Sequence, residues 1–525
     1  VVKCRSGSGT VTLRLREADT FASQGFRHAL PGRLTGAPNF GRLGPELQPS
    51  LVIPSLVAVD DAARAVTVLN ADGSARPRWP VFIFPPVSSQ GGLSVPLVWD
   101  LDGQPGDEIV FASDYGSMVF FNASGGRIIV NLDFNVSLSA PVGFAGPQER
   151  LVAAVDARGT VRAWAAGGNL RATRVLGNVA PLDPAAGRLT RGGEESLVVA
   201  FGGGRITALD ANLDDRPGWP RELGQKLTSS PVLIDCDGDD DHEIVLVALD
   251  TQSGLATMRV FTGEGEPGPG DGVVLATPAG GPWVATGPAV VTGGAGDGEL
   301  GVTLLGLAAN GQSGAAASWT LVQGTLRVDG TAVAATYAGL DIRATTNEGV
   351  LVLQRSLLPA PVTWNILGGT GTEAAVLASV GWTELLYGLT AIPGCATAWY
   401  QPTARGRPLA TWLPRARSGP DDAAPGVAGV TLLPGDDGTH LRVDVLDGTV
   451  TAAPVPAGAG AQPLWISSRG DGRNSGAYPF AVPVSATGPV ALGGRLSVYP
   501  NPGAGRFRFS VDSAVSGPAG AEIYD

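Results

Sequence analysis

The chain has 525 residues, 76 of them Gly and 41 Pro, with 44% apolar and only 16% charged side chains. Apolar residues recur in nearly every segment, which argues against disorder, and so much Gly and Pro favours short strands and tight turns over helices. The formal net charge is −12 and Lys3 and Lys226 are the only lysines, so nothing basic can follow a phosphate backbone and nucleic-acid binding finds no support.

No apolar run reaches the roughly 18 residues that a membrane-spanning helix needs, so no transmembrane segment is expected. Cys4, Cys236 and Cys395 are too few and too scattered for a disulfide framework or a zinc site. The chain starts at Val1 without a signal peptide, as expected of a mature or partial chain.

Residues 1–35 hold one strictly alternating stretch, Thr10–Arg16, which predicts a strand followed by a linker. From residue 36 a pattern recurs: a small residue, a Pro, an apolar strand, a turn and another apolar strand. Its markers are Ala37-Pro38, Val95-Pro96, Ala140-Pro141, Ala180-Pro181, Ser230-Pro231 and Gly287-Pro288, about 40–58 residues apart. Two units close on Trp-Pro, at Trp79-Pro80 and Trp219-Pro220. Self-similarity at that period, built from short strands, predicts propeller blades. Past residue 300 the markers fade, but Val302–Leu307, Gly349–Gln354, Ala374–Val380 and Leu441–Leu446 still read as blade strands.

The expected architecture is therefore all-β, with a seven- or eight-bladed β-propeller over 36–480. A ring of this kind leaves no long sheet edge exposed. The polar, Gly-rich stretch 465–479 reads as the final loop crossing the ring. Residues 481–495 form a spacer, and 496–525 begin a small β-sandwich-type C-terminal segment.

Two loops carry acidic residues on alternating positions. In the first, Asp235, Asp237, Asp239, Asp241 and Glu243 lie between the apolar strand Pro231–Ile234 and Ile244-Val245. In the second, Asp100, Asp102, Gln104 and Glu108 stand in the same relation to Leu97–Trp99 and Ile109-Val110. Alternating carboxylates that converge on one point, with Gly for the turn, suit a hard divalent cation such as calcium, which takes oxygen ligands. Such an ion is expected to brace the hairpin, because neither a nucleophile nor a base is placed beside it.

These loops resemble the FG-GAP (VCBS) repeat of integrin-alpha-type propellers, whose loop is acidic at its first, third, fifth and ninth positions. Asp235, Asp237, Asp239 and Glu243 match all four, whereas Gln104 stands where the family has Asp or Asn. The resemblance implies calcium as the bound ion. The end of the chain resembles the C-terminal sorting domain of type IX secretion cargo, through Tyr499-Pro-Asn-Pro502, Gly505, Phe507, Phe509 and Ile523-Tyr-Asp525. That second resemblance implies a Gram-negative bacterium and export across its outer membrane, to be released or anchored on the outer surface.

Catalytic signatures are sparse. No Gly-x-Ser-x-Gly elbow exists, and His28, His242 and His440 lack metal-binding spacing. Gly202-Gly-Gly204 lies in a hairpin and reads as a turn. Arg469-Gly-Asp471 spells an integrin-binding tripeptide, which in so Gly-rich a chain reads as coincidence. The tryptophans, including Trp99, Trp164 and Trp219, read as packing between blades.

The expectation is a secreted, calcium-stabilised, non-catalytic module that binds an extracellular glycan or protein. The rivals are a self-associating subunit of an extracellular filament or coat, and an accessory region of an exported hydrolase or a propeller lyase. Two carboxylates paired by folding would leave no local motif, so the sequence leaves the enzyme question open.

Overall fold

The computed structural model describes residues 25–275 apart from short breaks, the longest spanning 85–92. It also describes 469–477, two terminal hairpins and the strands between Trp283 and Trp465. The described residues contain no α-helix; one three-residue 3-10 turn, Ala166–Gly168, interrupts an otherwise all-β chain.

Eight sheets of four or more strands are built from the described residues. They touch in sequence order, and the eighth touches the first, so the sheets form a closed circle. Blade 2 shows the plan: Leu97–Trp99, Glu108–Ala112, Ser117–Phe121 and Arg127–Asn131 run as an antiparallel meander. Blade 3 repeats it from Val142–Ala145, blade 4 from Ala185–Arg188, and blade 5 from Val232–Ile234. The fading repeats beyond 300 still form sheets, with Leu300–Asn310 in the sixth, Gly371–Leu386 in the seventh and His440–Leu446 in the eighth.

The ring begins earlier than the first Ala-Pro marker. Arg27–Ala29 pairs with Thr449–Val455 as the outermost strand of blade 8, and Gly32–Leu34 pairs within blade 1. Chain segments from both ends thus share one sheet, and backbone hydrogen bonds between them close the circle. The alternating stretch near the N-terminus pairs elsewhere: Gly9–Leu13 forms a hairpin with Val2–Ser6.

Middle strands are apolar on both faces because each face meets a neighbouring blade. In Glu195–Ala200, Leu197 and Val199 pack on blade 3 beside Phe144 and Val155. Val198 and Ala200 point the other way, to Leu233 and Leu246 of blade 5. Outermost strands lose this double burial, and Asn169–Val175 is largely exposed with a polar sequence. Trp99 and Trp164 are buried between blades 2 and 3, and Trp219 between blades 4 and 5, as expected of packing residues.

The axis is occupied by the chain itself. Segment 469–477 crosses the innermost strands of blades 2 to 5 and gives one carbonyl to each of them. Gly472 O accepts from Val98 N (2.6 Å), Arg473 O from Gly143 N (2.8 Å), Ser475 O from Ala186 N (2.7 Å) and Gly476 O from Leu233 N (2.9 Å). Its glycines are required by closeness: a Cβ on Gly472 would stand 2.7 Å from Val98 O, and Gly476 has φ +61°. The small-Pro markers supply acceptors in return, since a Pro just before an inner strand offers only a carbonyl. Asn474 Nδ2 donates to Pro96 O (3.2 Å) and Pro141 O (3.0 Å), and Asn39 Nδ2 donates to Pro96 O (2.9 Å). In blade 4 the Pro before the inner strand is Pro184, not the expected marker Ala180-Pro181, and its carbonyl accepts from Arg469 Nη2 (2.7 Å).

Replacing Asn474 by Ala strips hydrogen bonds from two buried carbonyls and is expected to cost about 2–3 kcal/mol. Denaturant unfolding of the full chain measures this cost. An unchanged midpoint would mean that the crossing segment is not holding the blades.

Candidate metal centre

Both acidic loops occupy the same place in their blades, directly after the innermost strand. Trp99 pairs with Glu108 and Ile234 pairs with Glu243, so each loop is a hairpin connection closed by an acidic residue. In the blade 2 loop Gly103 (φ +76°) and Gly106 (φ +108°) turn the chain. Asp100 Oδ1 then accepts from Gly103 N (2.7 Å), Asp102 Oδ1 from Gln104 N (2.8 Å) and Glu108 Oε2 from Leu101 N (2.8 Å).

The fold brings Asp100, Asp102 and Glu108 together, with ligand oxygens all within 4.8 Å of one another. Asp100 and Glu108 are buried and Asp102 is exposed, as is Gln104 on the rim of the loop. Burial pushes the Glu108 carboxyl up to about 7, opposed by the Leu101 N–H and reinforced by the charges of Asp102 and Asp100.

In the blade 5 loop Asp235 and Glu243 are buried, Asp241 is half-buried and Asp239 is exposed, while Asp237 lies outside the described residues. Asp235 Oδ2 accepts from Asp240 N (3.2 Å), and Asp239 Oδ1 accepts from Asp241 N (2.9 Å). Among the described residues Asp241 Oδ1 is a buried oxygen without a hydrogen-bond partner. Burial raises the Asp241 carboxyl, and the charges of Asp239, Glu264 and Asp235 raise it further against a hydrogen bond from the Arg191 backbone. A hard dication fits this donor set: it would accept the orphaned oxygen and relieve the crowding of like charges.

Residues that the sequence analysis did not single out surround these loops. The axial residues Val98, Gly143, Ala186 and Leu233 pair across to Ile109, Val152, Leu197 and Ile244. Two positions before each of those partners stands a polar residue that reaches back to the preceding blade. Asp107 Oδ2 accepts from Arg42 N (2.6 Å), and Glu195 Oε2 accepts from Ala145 N (2.6 Å). Arg150 Nη1 donates to Asp100 Oδ2 and to Asp100 O, each at 2.7 Å. The fourth, His242, donates its backbone N–H to Arg188 O (3.1 Å). Burial pushes the Asp107 carboxyl up to about 7 despite the Arg42 N–H and charge. No local motif marks these residues, but aligning the blades puts Asp107, Arg150, Glu195 and His242 in one column.

The axial segment joins this network. Arg473 Nη1 lies 2.8 Å from both oxygens of Glu195, and Arg473 Nε lies 3.2 Å from Asp471 Oδ2. Burial alone would raise the Glu195 carboxyl. The Arg473 charge, the Ala145 N–H, the Arg473 hydrogen bond and the Arg188 charge outweigh it and hold that carboxyl below the usual range. The Arg-Gly-Asp tripeptide is part of this interior: Arg469 is 5% exposed and Asp471 Oδ1 accepts from Ser475 N (2.9 Å). It serves the ring and is not displayed.

No family model and no curated protein matches the chain. Among solved structures it is similar to BBS1N in complex with ARL6DN, at 11% identity over 69% of this chain and 93% of that one, with TM-score 0.38. It is also similar to BamB from Moraxella catarrhalis, at 13% identity over 68% and 95%, with TM-score 0.35. A third likeness is to the SCAP WD40 domain from fission yeast, at 9% identity over 83% and 98%, with TM-score 0.38. These scores are low, and the propeller assignment rests on the strand pairing and the closed circle of sheets.

The Glu195–Arg473 pair makes stability depend on pH. A carboxyl held below its ordinary value of 4.5 contributes its stability fully above that pH and loses it as the pH falls further. Glu195→Gln is therefore expected to cost about 3 kcal/mol at neutral pH, with the gap to wild type closing below pH 4.5. Melting curves across pH check this; a gap that stays constant would assign the loss to something other than the ion pair.

Proposed function

We propose that this chain is a secreted or cell-surface β-propeller, braced by calcium, that works as a non-catalytic binding or adhesion module for an extracellular glycan or protein. The observation that carries this reading is the filled axis. Where a propeller enzyme would need a cavity, the innermost strands of blades 2 to 5 are bonded to segment 469–477. A rigid ring with its centre filled offers its loops and rim for recognition.

Support for calcium comes from the blade 5 loop, with its carboxylates on alternating positions and the buried, unpartnered Asp241 Oδ1. Asp235, Asp239, Asp241 and Glu243, with Asp237, would hold the ion, and its role would be to pin the hairpin. The FG-GAP resemblance of that loop agrees with this. Support for export comes from the C-terminal resemblance, whose Tyr499-Pro500 ends a strand, Leu496–Pro500, paired with Phe507–Val511 in an antiparallel hairpin.

Linkage gives the expected size of the calcium effect. At about 1 mM calcium and a Kd near 10 μM, the bound ion adds roughly 2.7 kcal/mol, which is about 2–3 °C in Tm for a ring of this length. Asp235→Asn should abolish that shift. Melting with calcium and with chelator decides the calcium reading. Glycan and protein arrays probed with the folded chain, beside a panel of polysaccharide substrates, decide the binding reading. Saturable binding without turnover is expected, and turnover of any of the polysaccharides would make the chain an enzyme.

A further inference from the structure

The two acidic loops look alike in sequence. In blade 2 the Asp100 carboxylate already faces a cation. Arg150, from the start of the second strand of blade 3, places Nη1 2.7 Å from Asp100 Oδ2 and 2.7 Å from Asp100 O. The same guanidinium lies over the Trp99 ring, 5.5 Å from its centroid. Two hydrogen bonds and an aromatic face fix its position, and the side chain is half-buried.

The charge at this seam is the reverse of its neighbours. Among the equivalent side chains, Asp107 reaches back to Arg42 of blade 1, and Glu195 reaches back to the Ala145 N–H of blade 3, with Arg188 of its own blade and axial Arg473 supplying positive charge. Only at the blade 2–3 seam, of these described seams, does the preceding blade present a carboxylate, and there the column holds Arg150. A dication seated on Asp100 would lie against that positive charge. Asp100 Oδ2, which such an ion would need, is already paired with the Arg150 guanidinium. The blade 2 loop therefore does not fit calcium, although its spacing resembles the calcium loop.

We infer that Arg150 is the built-in cation of the blade 2 loop, standing where the blade 5 loop is proposed to take calcium, so that one seam is clamped by a side chain and the other by an ion. The contrast rests on the calcium reading of the blade 5 loop. The assignment of Arg150 does not, and the two can fail separately.

The test uses the full chain with Arg150→Gln, Arg150→Lys and Asp235→Asn. Bound calcium is counted by equilibrium dialysis, and Tm is measured in chelator and in calcium. Arg150→Gln frees the Asp100 carboxylate, which lies beside those of Asp102 and Glu108. It is expected to bind one calcium more than wild type and to melt lower than wild type in chelator, recovering when calcium is added. Arg150→Lys keeps the charge, and its calcium count should stay at the wild-type value. Asp235→Asn should lose the wild-type calcium response.

A purely structural role for Arg150 would lower Tm without adding a calcium. An unchanged count in Arg150→Gln therefore overturns the inference, as does an added calcium in Arg150→Lys. A calcium response that persists in Asp235→Asn and disappears in Asp100→Asn also overturns it, because the ion would then sit beside Arg150. A wild-type chain that binds no calcium refutes the reading of the blade 5 loop. The gain or absence of a calcium in Arg150→Gln would still decide the role of Arg150.

Discussion

An innermost propeller strand has a sheet neighbour along one edge only, and its other edge points N–H groups at the axis. Buried N–H groups need acceptors, so something polar has to fill the centre. Here the chain supplies it, with the carbonyls of Gly472, Arg473, Ser475 and Gly476 each meeting a different blade. One short segment thereby fixes the relative position of four sheets that are distant in sequence. The small-Pro marker is the matching half of this arrangement, because its carbonyls receive Asn39 and Asn474.

Around that axis the blades are joined by two kinds of contact. Most of the buried area is apolar, as where Leu197 and Val199 pack on one neighbour while Val198 and Ala200 pack on the other. Such packing is strong but tolerates sliding. The polar column of Asp107, Arg150, Glu195 and His242 fixes the register, since each residue bonds to a defined group on the preceding blade. Arg473 and Arg150 both approach the Trp99 ring, at 5.7 and 5.5 Å, so the axial segment and the acidic loop of blade 2 meet on one side chain.

This construction bears on function. A centre filled by its own chain is a poor place for a substrate and a good support for rigid loops. The acidic hairpins sit where the innermost strand turns back, so bracing them stiffens the connections that a recognition surface would use. Reading the Arg-Gly-Asp tripeptide as a ligand would have been a mistake, because Arg469 spends its guanidinium on the carbonyl of Pro184 inside the ring.

The sequence by itself determined what depends on neighbours along the chain. Apolar runs broken by turns, the recurrence of small-Pro markers and carboxylates on alternate positions are local, so they announced strands, blades and two acidic hairpins. The polar, Gly-rich 465–479 stretch was legible as the crossing loop, and 469–477 does cross, whereas Trp465 ends a strand of the seventh sheet. The tertiary structure alone decided which side chains meet across a seam. Arg150 lies 50 residues from Asp100, Arg473 lies 278 from Glu195, and Arg27–Ala29 completes a sheet with Thr449–Val455. Those distances are bridged only when the ring closes, and closure is set by the burial of every blade against the next. A string of residues therefore does not settle a loop's chemistry, because Arg150, the cation that answers the blade 2 loop, comes from outside the string.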